Sequence, residues 1–167
     1  MMAKNSIVLM FVFLLSACGY HLRGGIQLPV VLQKIYVRGA SAELTNAIAT
    51  TFRSASGELV ATVEEAGMVL NVINEDYQRR TISIDSSGYS NEYDLVYRLT
   101  FDLLDKHGTT FVSAQTIEVS KSYFNTQSSF TVLSKGNEEA VLREELYSQA
   151  VRLVINRAKA KLKKILP

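Results

Sequence analysis

The chain is poor in groups that make or break bonds. It has one thiol, Cys18, and two imidazoles, His21 and His107. With no second cysteine there is no internal disulfide, and two histidines without a thiolate partner make a poor zinc ligand set. No Gly-x-Ser-x-Gly elbow, phosphate loop or His-Glu-x-x-His is found. Ser86-Ser87-Gly88 has no histidine near it in sequence and reads as a turn, not a nucleophile. The carboxylates fall on alternating strand faces or in helix turns, where a solvated face explains them. The residues exclude metal and hydrolytic chemistry as the first expectation and leave binding. The one reactive position that spacing singles out is Cys18, directly after Leu15-Ser16-Ala17.

Lys4 is the only charge ahead of that cysteine, and Ile7 to Leu15 is an unbroken apolar run. A positive start, a short apolar core and small residues before a cut read as a secretory signal. Leu15-Ser16-Ala17-Cys18 resembles the bacterial lipobox. That resemblance implies a diacylglycerol thioether on Cys18, cleavage before it and an acylated amine, with no other cofactor. One acyl chain binds a bilayer marginally, and stable anchoring takes a second signal. The expected division is a signal peptide at 1–17, a lipidated tether at 18–30 and a single domain at 31–167. Gly19 after the cysteine resembles the outer-membrane sorting class.

Cleavage would leave 150 of the 167 residues, enough for one domain with a real core. Without Lys4 the balance is 17 basic to 16 acidic side chains, too even for a general nucleic-acid binder.

Lys34 to Arg38 predicts a short strand. Ser41 predicts an N-cap for a helix carrying Leu44, Ile48, Phe52 and Ala55 at every fourth position, closed by Gly57 as its C′ residue. Leu59 to Val63 is a short strand or an extended connection. Met68 to Ile84 is a long extended segment, apolar in its first half and polar in its second, ending in turn chemistry at Asp85 to Gly88. Tyr93, Leu95, Tyr97, Leu99, Phe101 and Leu103 alternate with polar neighbours and predict a strand buried on one face. Phe111 to Phe124 returns beyond the Lys106-His107-Gly108 turn. Asn125 to Gly136 reads as a polar loop and Asn137 as the N-cap of a last helix, with Leu142, Leu146, Ala150, Leu153, Val154, Ala158 and Leu162 as its apolar stripe. Arg152, Arg157, Lys159, Lys161, Lys163 and Lys164 crowd that helix's end, where cations suit the dipole. The expected fold is α+β: a two-layer sandwich with a mostly antiparallel four-stranded sheet and both helices on one face.

Cys18-Gly19-Tyr20-His21-Leu22-Arg23-Gly24, then Leu28-Pro29 and a short strand, resembles the start of the LPS-assembly lipoprotein family, LptE. Asn91-Glu92-Tyr93 and Lys135-x-Asn137-Glu138 extend the resemblance, and the element order agrees over the rest. The resemblance implies a non-enzymatic, lipid-anchored outer-membrane subunit that plugs the large barrel LptD, faces the periplasm and binds lipopolysaccharide on its way to the outer leaflet. It carries a phosphate-binding role onto Lys135. Relatives also hold a basic residue at the hairpin tip, here Ser86-Ser87, and Arg79 and Arg80 are the substitutes on offer. Tyr89, Tyr123, Phe124 and Phe130 are candidates for the partner interface, since aromatic residues enrich there. The competing reading is a generic outer-membrane lipoprotein serving as an envelope scaffold or secretion-assembly module.

Overall fold

A computed structural model describes residues 27–86, 88–124 and 132–165. A single 3₁₀ turn, Val30–Leu32, leads into β1 (Lys34–Arg38), α1 (Ala42–Ser54), β2 (Glu58–Leu59), β3 (Met68–Ile84), β4 (Ser90–Leu104), β5 (Thr110–Phe124) and α2 (Val132–Ile165). The sheet order is β2-β1-β3-β4-β5. β1 runs parallel to both neighbours, and β3, β4 and β5 form an antiparallel meander. The architecture is the expected α+β one with two helices. The sheet has five strands instead of four. The extra one, β2, is two residues long and pairs Lys34 with Glu58 and Ile35 with Leu59. A pairing that short leaves no periodic trace in a sequence.

Period two on β4 sets the layers. Leu95, Leu99, Phe101 and Leu103 are wholly buried and Tyr97 nearly so. They form one cluster with Leu44, Ile48 and Phe52 of α1 and Leu146, Ala150, Val151, Val154 and Ile155 of α2. Both helices therefore cover the same sheet face. Each fully buried aliphatic side chain contributes about 1.5–3 kcal/mol relative to exposure. The opposite face carries polar ladders: Arg98 with Glu118 and Asp76, and Thr100 with Thr116.

The helix ends differ from expectation. Ser41 caps α1, its Oγ accepting from the Leu44 amide at 3.2 Å. At the other end Ser56, not Gly57, takes the left-handed conformation, with φ of 57°. Gly57 sits in a crowded place: a Cβ there would lie 2.5 Å from Leu28 Cδ1, so that side chain would have to shift. α2 begins at Val132, five residues before Asn137, so residues 132–136 are helical and not loop. Buried residues of α2 include Tyr147, Val151 and Ile155 besides the expected stripe, because two neighbours, the sheet and α1, widen the covered face.

Candidate functional site

The meander is longer than its cover. α1 starts level with Glu75, whose carboxylate accepts from the Ser41 amide at 2.6 Å, the Ser41 hydroxyl at 2.9 Å and the Tyr97 hydroxyl at 2.7 Å. Burial, then the Glu75 hydrogen bond, pushes the Tyr97 phenol far above its ordinary range. Past this point only α2 overlies the sheet. Along the meander Tyr77 pairs with Tyr97, Arg79 with Leu95, and Thr81 with Tyr93, which pairs onward with Tyr123. The strands then continue to Ile84, Ser90 and Phe124. Register shifts between Thr81 and Ser83 and between Ser83 and Ile84 break the regular ladder here. Bulges bend strands and re-aim side chains. At this end of the meander lies an exposed apolar tip: Ile82, Ile84, Tyr89 and Phe124 are 52, 66, 58 and 64 % exposed. One scattered exposed apolar residue needs no explanation, but a contiguous group rimmed by polar residues marks an interaction surface.

Beneath the tip sits a carboxylate hub. Glu139 of α2 accepts from the hydroxyls of Tyr77 and Tyr123 and from the Arg79 guanidinium, each at 3.1 Å, and from Arg143 at 3.5 Å. Burial alone would raise the Glu139 carboxyl. The Tyr123, Tyr77 and Arg79 hydrogen bonds and the Arg79 charge outweigh burial and hold it below its ordinary value. Burial and Glu139 together raise the Tyr77 and Tyr123 phenols. Arg79 also lies 4.9 Å over the Tyr93 ring, and Arg143 lies 4.8 Å over Tyr77. Tyr93 and Tyr123 stack with centroids 5.5 Å apart. The hub fixes the first described turns of α2 on the meander and chemically does no more than that. No cluster of three metal-ligating side chains occurs among the described residues.

The sequence candidates part company. Tyr89 and Phe124 are on the exposed tip. Tyr123 is not a free interface residue: it is 9 % exposed and spent on Tyr93 and Glu139, because it shares the helix-facing parity of Ile117 and Val119. Arg79 is engaged by Glu139, whereas Arg80 points to the opposite sheet face and reaches Asp94 at 3.4 Å. The two arginines therefore do not form one site. Lys135 lies in the opening turn of α2 instead of in a loop. Cys18, Phe130 and Ser87 lie outside the described residues. Ile82, Ile84 and Glu139 were missed. The signal for the first two was present, two isoleucines inside a segment otherwise polar, while Glu139 gave none.

Comparison with known proteins narrows the reading. The LptE model, described as lipopolysaccharide-assembly, matches residues 32–158. The chain belongs to the LptE family. An LPS-assembly lipoprotein from Pectobacterium atrosepticum is 27% identical over 150 residues, covering 87% of this chain and 79% of that one. One from Yersinia enterocolitica is 26% identical, covering 87% and 70%. Among solved structures, rare lipoprotein B from Shewanella oneidensis superposes with a TM-score of 0.60 at 24% identity, covering 80% of this chain and 96% of that one. Lipoprotein B from Nitrosomonas europaea gives 0.62 at 23%, covering 82% and 88%. These two share the fold. The LptE family is a lipopolysaccharide-assembly lipoprotein family.

Proposed function

We propose that this chain is the lipid-anchored subunit of an outer-membrane lipopolysaccharide translocon, held by acyl chains on Cys18, seated in an LptD-like barrel and in contact with lipopolysaccharide in transit. Family membership over 32–158 carries this reading. The apolar tip supplies its most suitable contact: Ile84, Tyr89 and Phe124 are each more than half exposed, and aromatic residues are enriched at protein interfaces. For the lipid phosphates, Lys135 in the opening turn of α2 and Arg80 on the polar sheet face are the cations on offer. Arg79 would have to leave Glu139, and Arg80 to leave Asp94, before binding an anion. Arg and Lys serve phosphate well through charge-assisted hydrogen bonds.

The test is affinity purification of the tagged, lipidated chain from detergent-solubilised outer membranes under high-salt washing. The expected eluate contains a large β-barrel in equal amount. Recovery of the lipoprotein alone, or with a peptidoglycan-linked partner, favours the envelope-scaffold reading instead. Lys135→Glu is expected to weaken lipopolysaccharide binding while the thermal melt stays unchanged. Unaltered binding removes Lys135 from the site.

A further inference from the structure

The Lys-rich end of α2 has a definite place in the fold. Its position follows from three contacts. Glu139 bonds Tyr123, Glu145 bonds Lys121, and Tyr147 packs edge-on against Tyr97, which pairs with Val119. As α2 advances, the β5 partner number falls, so the helix runs antiparallel to β5. At about 1.5 Å per helical residue and about 3.3 Å per strand residue, the turn holding Lys163 comes level with Leu104 and Val112. That is the end closed by the Lys106-His107 turn.

The chain enters the fold at the same end. Ile35 pairs with Met68, and the neighbouring Val69 pairs with Leu104. Gln33 and the first residue of β1 are held there too: the Glu58 amide donates to Gln33 O at 2.6 Å and the Gly67 amide to Lys34 O at 2.9 Å. Val30 and Val31 lie on the surface beside this entry, 79 and 42 % exposed. Only eight residues lie between Cys18 and Gln27, a reach of about 30 Å at full extension.

Lys106, Arg157, Lys161, Lys163 and Lys164 are exposed at this end. Among the described residues none of them makes an ion pair. The nearby acids are Glu58, Glu64, Glu65 and Asp105, and Asp105 is occupied by the His107 and Thr109 amides, each at 2.8 Å. Toward the other end the charges are balanced instead: Asp76, Asp94, Glu118 and Glu139 are each paired to an arginine.

We propose that this end is a membrane-contact surface: the α2 lysines and Lys106 bind the headgroups of anionic phospholipids while Val30 and Val31 meet the interface. This rests on the anchored-lipoprotein reading, because the lipid on Cys18 would bring this end within reach of the bilayer. It adds that the anchor is not the sole attachment of the chain to the bilayer. Basic clusters near anionic membranes gain affinity with each cation and lose it with salt.

The test uses the mature chain with Cys18→Ser, which has no anchor, and sedimentation with vesicles of phosphatidylcholine containing or lacking phosphatidylglycerol. The expected result is partition onto the anionic vesicles alone. Lys161→Gln, Lys163→Gln and Lys164→Gln together should weaken it roughly a hundredfold, at about fivefold per lysine. A variant with Arg38, Arg98 and Arg152 changed to Gln removes the same charge elsewhere and should keep most of the binding. Equal partition onto both vesicle types, or equal loss in both variants, overturns the proposal, as does retention on lipopolysaccharide without any vesicle preference. Mass measurement of the wild-type N-terminal peptide reports the lipid on Cys18 separately, so failure of one reading is told from failure of the other.

Discussion

The two halves of the meander use apolar residues for opposite ends. In the covered half Leu70, Leu99, Phe101 and Leu103 lie under two helices and are at most 2 % exposed. In the uncovered half Ile82, Ile84, Tyr89 and Phe124 are all more than half exposed. The strands are continuous through both halves, so backbone pairing does not distinguish them. What differs is the described cover: α1 begins level with Glu75, and the last described tie to α2 is the Glu139 hub. Hydrophobicity therefore holds the domain together in the first half and is left available to another molecule in the second.

Several substitutions sharpen that contrast. Phe101→Ala should have the largest effect on stability, about 3–5 kcal/mol, because it empties a wholly buried site under both helices; chemical denaturation would read it as a lower midpoint at unchanged slope. Glu139→Gln comes next, at about 1–3 kcal/mol, since it leaves Arg79 and two tyrosine hydroxyls with a weaker acceptor. Its pH dependence has a definite sign. The folded-state carboxyl of Glu139 is depressed, so its contribution is complete above the ordinary value near 4.5 and fades as pH falls through the folded value. The gap in melting temperature between wild type and Glu139→Gln should be full at pH 7 and close at the acid end. A constant gap would mean that the hub is held by packing alone. Ser41→Ala should cost about 1 kcal/mol, by loss of the α1 cap and of a bond to Glu75. Tyr89→Ser with Phe124→Ser should change stability least, within about 0.5 kcal/mol, as expected for exposed side chains. The same pair should sharply reduce recovery of the barrel partner.

Strong, local patterns were the legible part of this fold. Six alternating residues on β4 and the four-residue recurrence on α1 named both the elements and their buried faces, since one surface decides each. Where two surfaces compete, the pattern blurred. α2 touches both the sheet and α1, and its buried face is wider than the stripe suggested. Its start was misplaced because Gly136 and Asn137 read as loop and cap, and helix continued through them. β2 is too short to have a period. The site was legible only in its aromatic residues, and even there Tyr123 went to the core by parity. The Glu139 hub was invisible because it joins side chains 60 and 62 residues apart, Arg79 and Tyr77. The two arginines looked like one basic site in sequence, yet adjacent strand residues face opposite sides and the pleat separates them.

We propose that the apolar tip, and not the Lys-rich end, meets a barrel. Site-specific photo-crosslinking in cells tests it directly, with a photoreactive residue at Tyr89, at Phe124 or at His107 of the lipidated chain. The account predicts an adduct with a large outer-membrane β-barrel from Tyr89 and Phe124, and little or none from His107. Barrel adducts from His107 with none from the tip would contradict it.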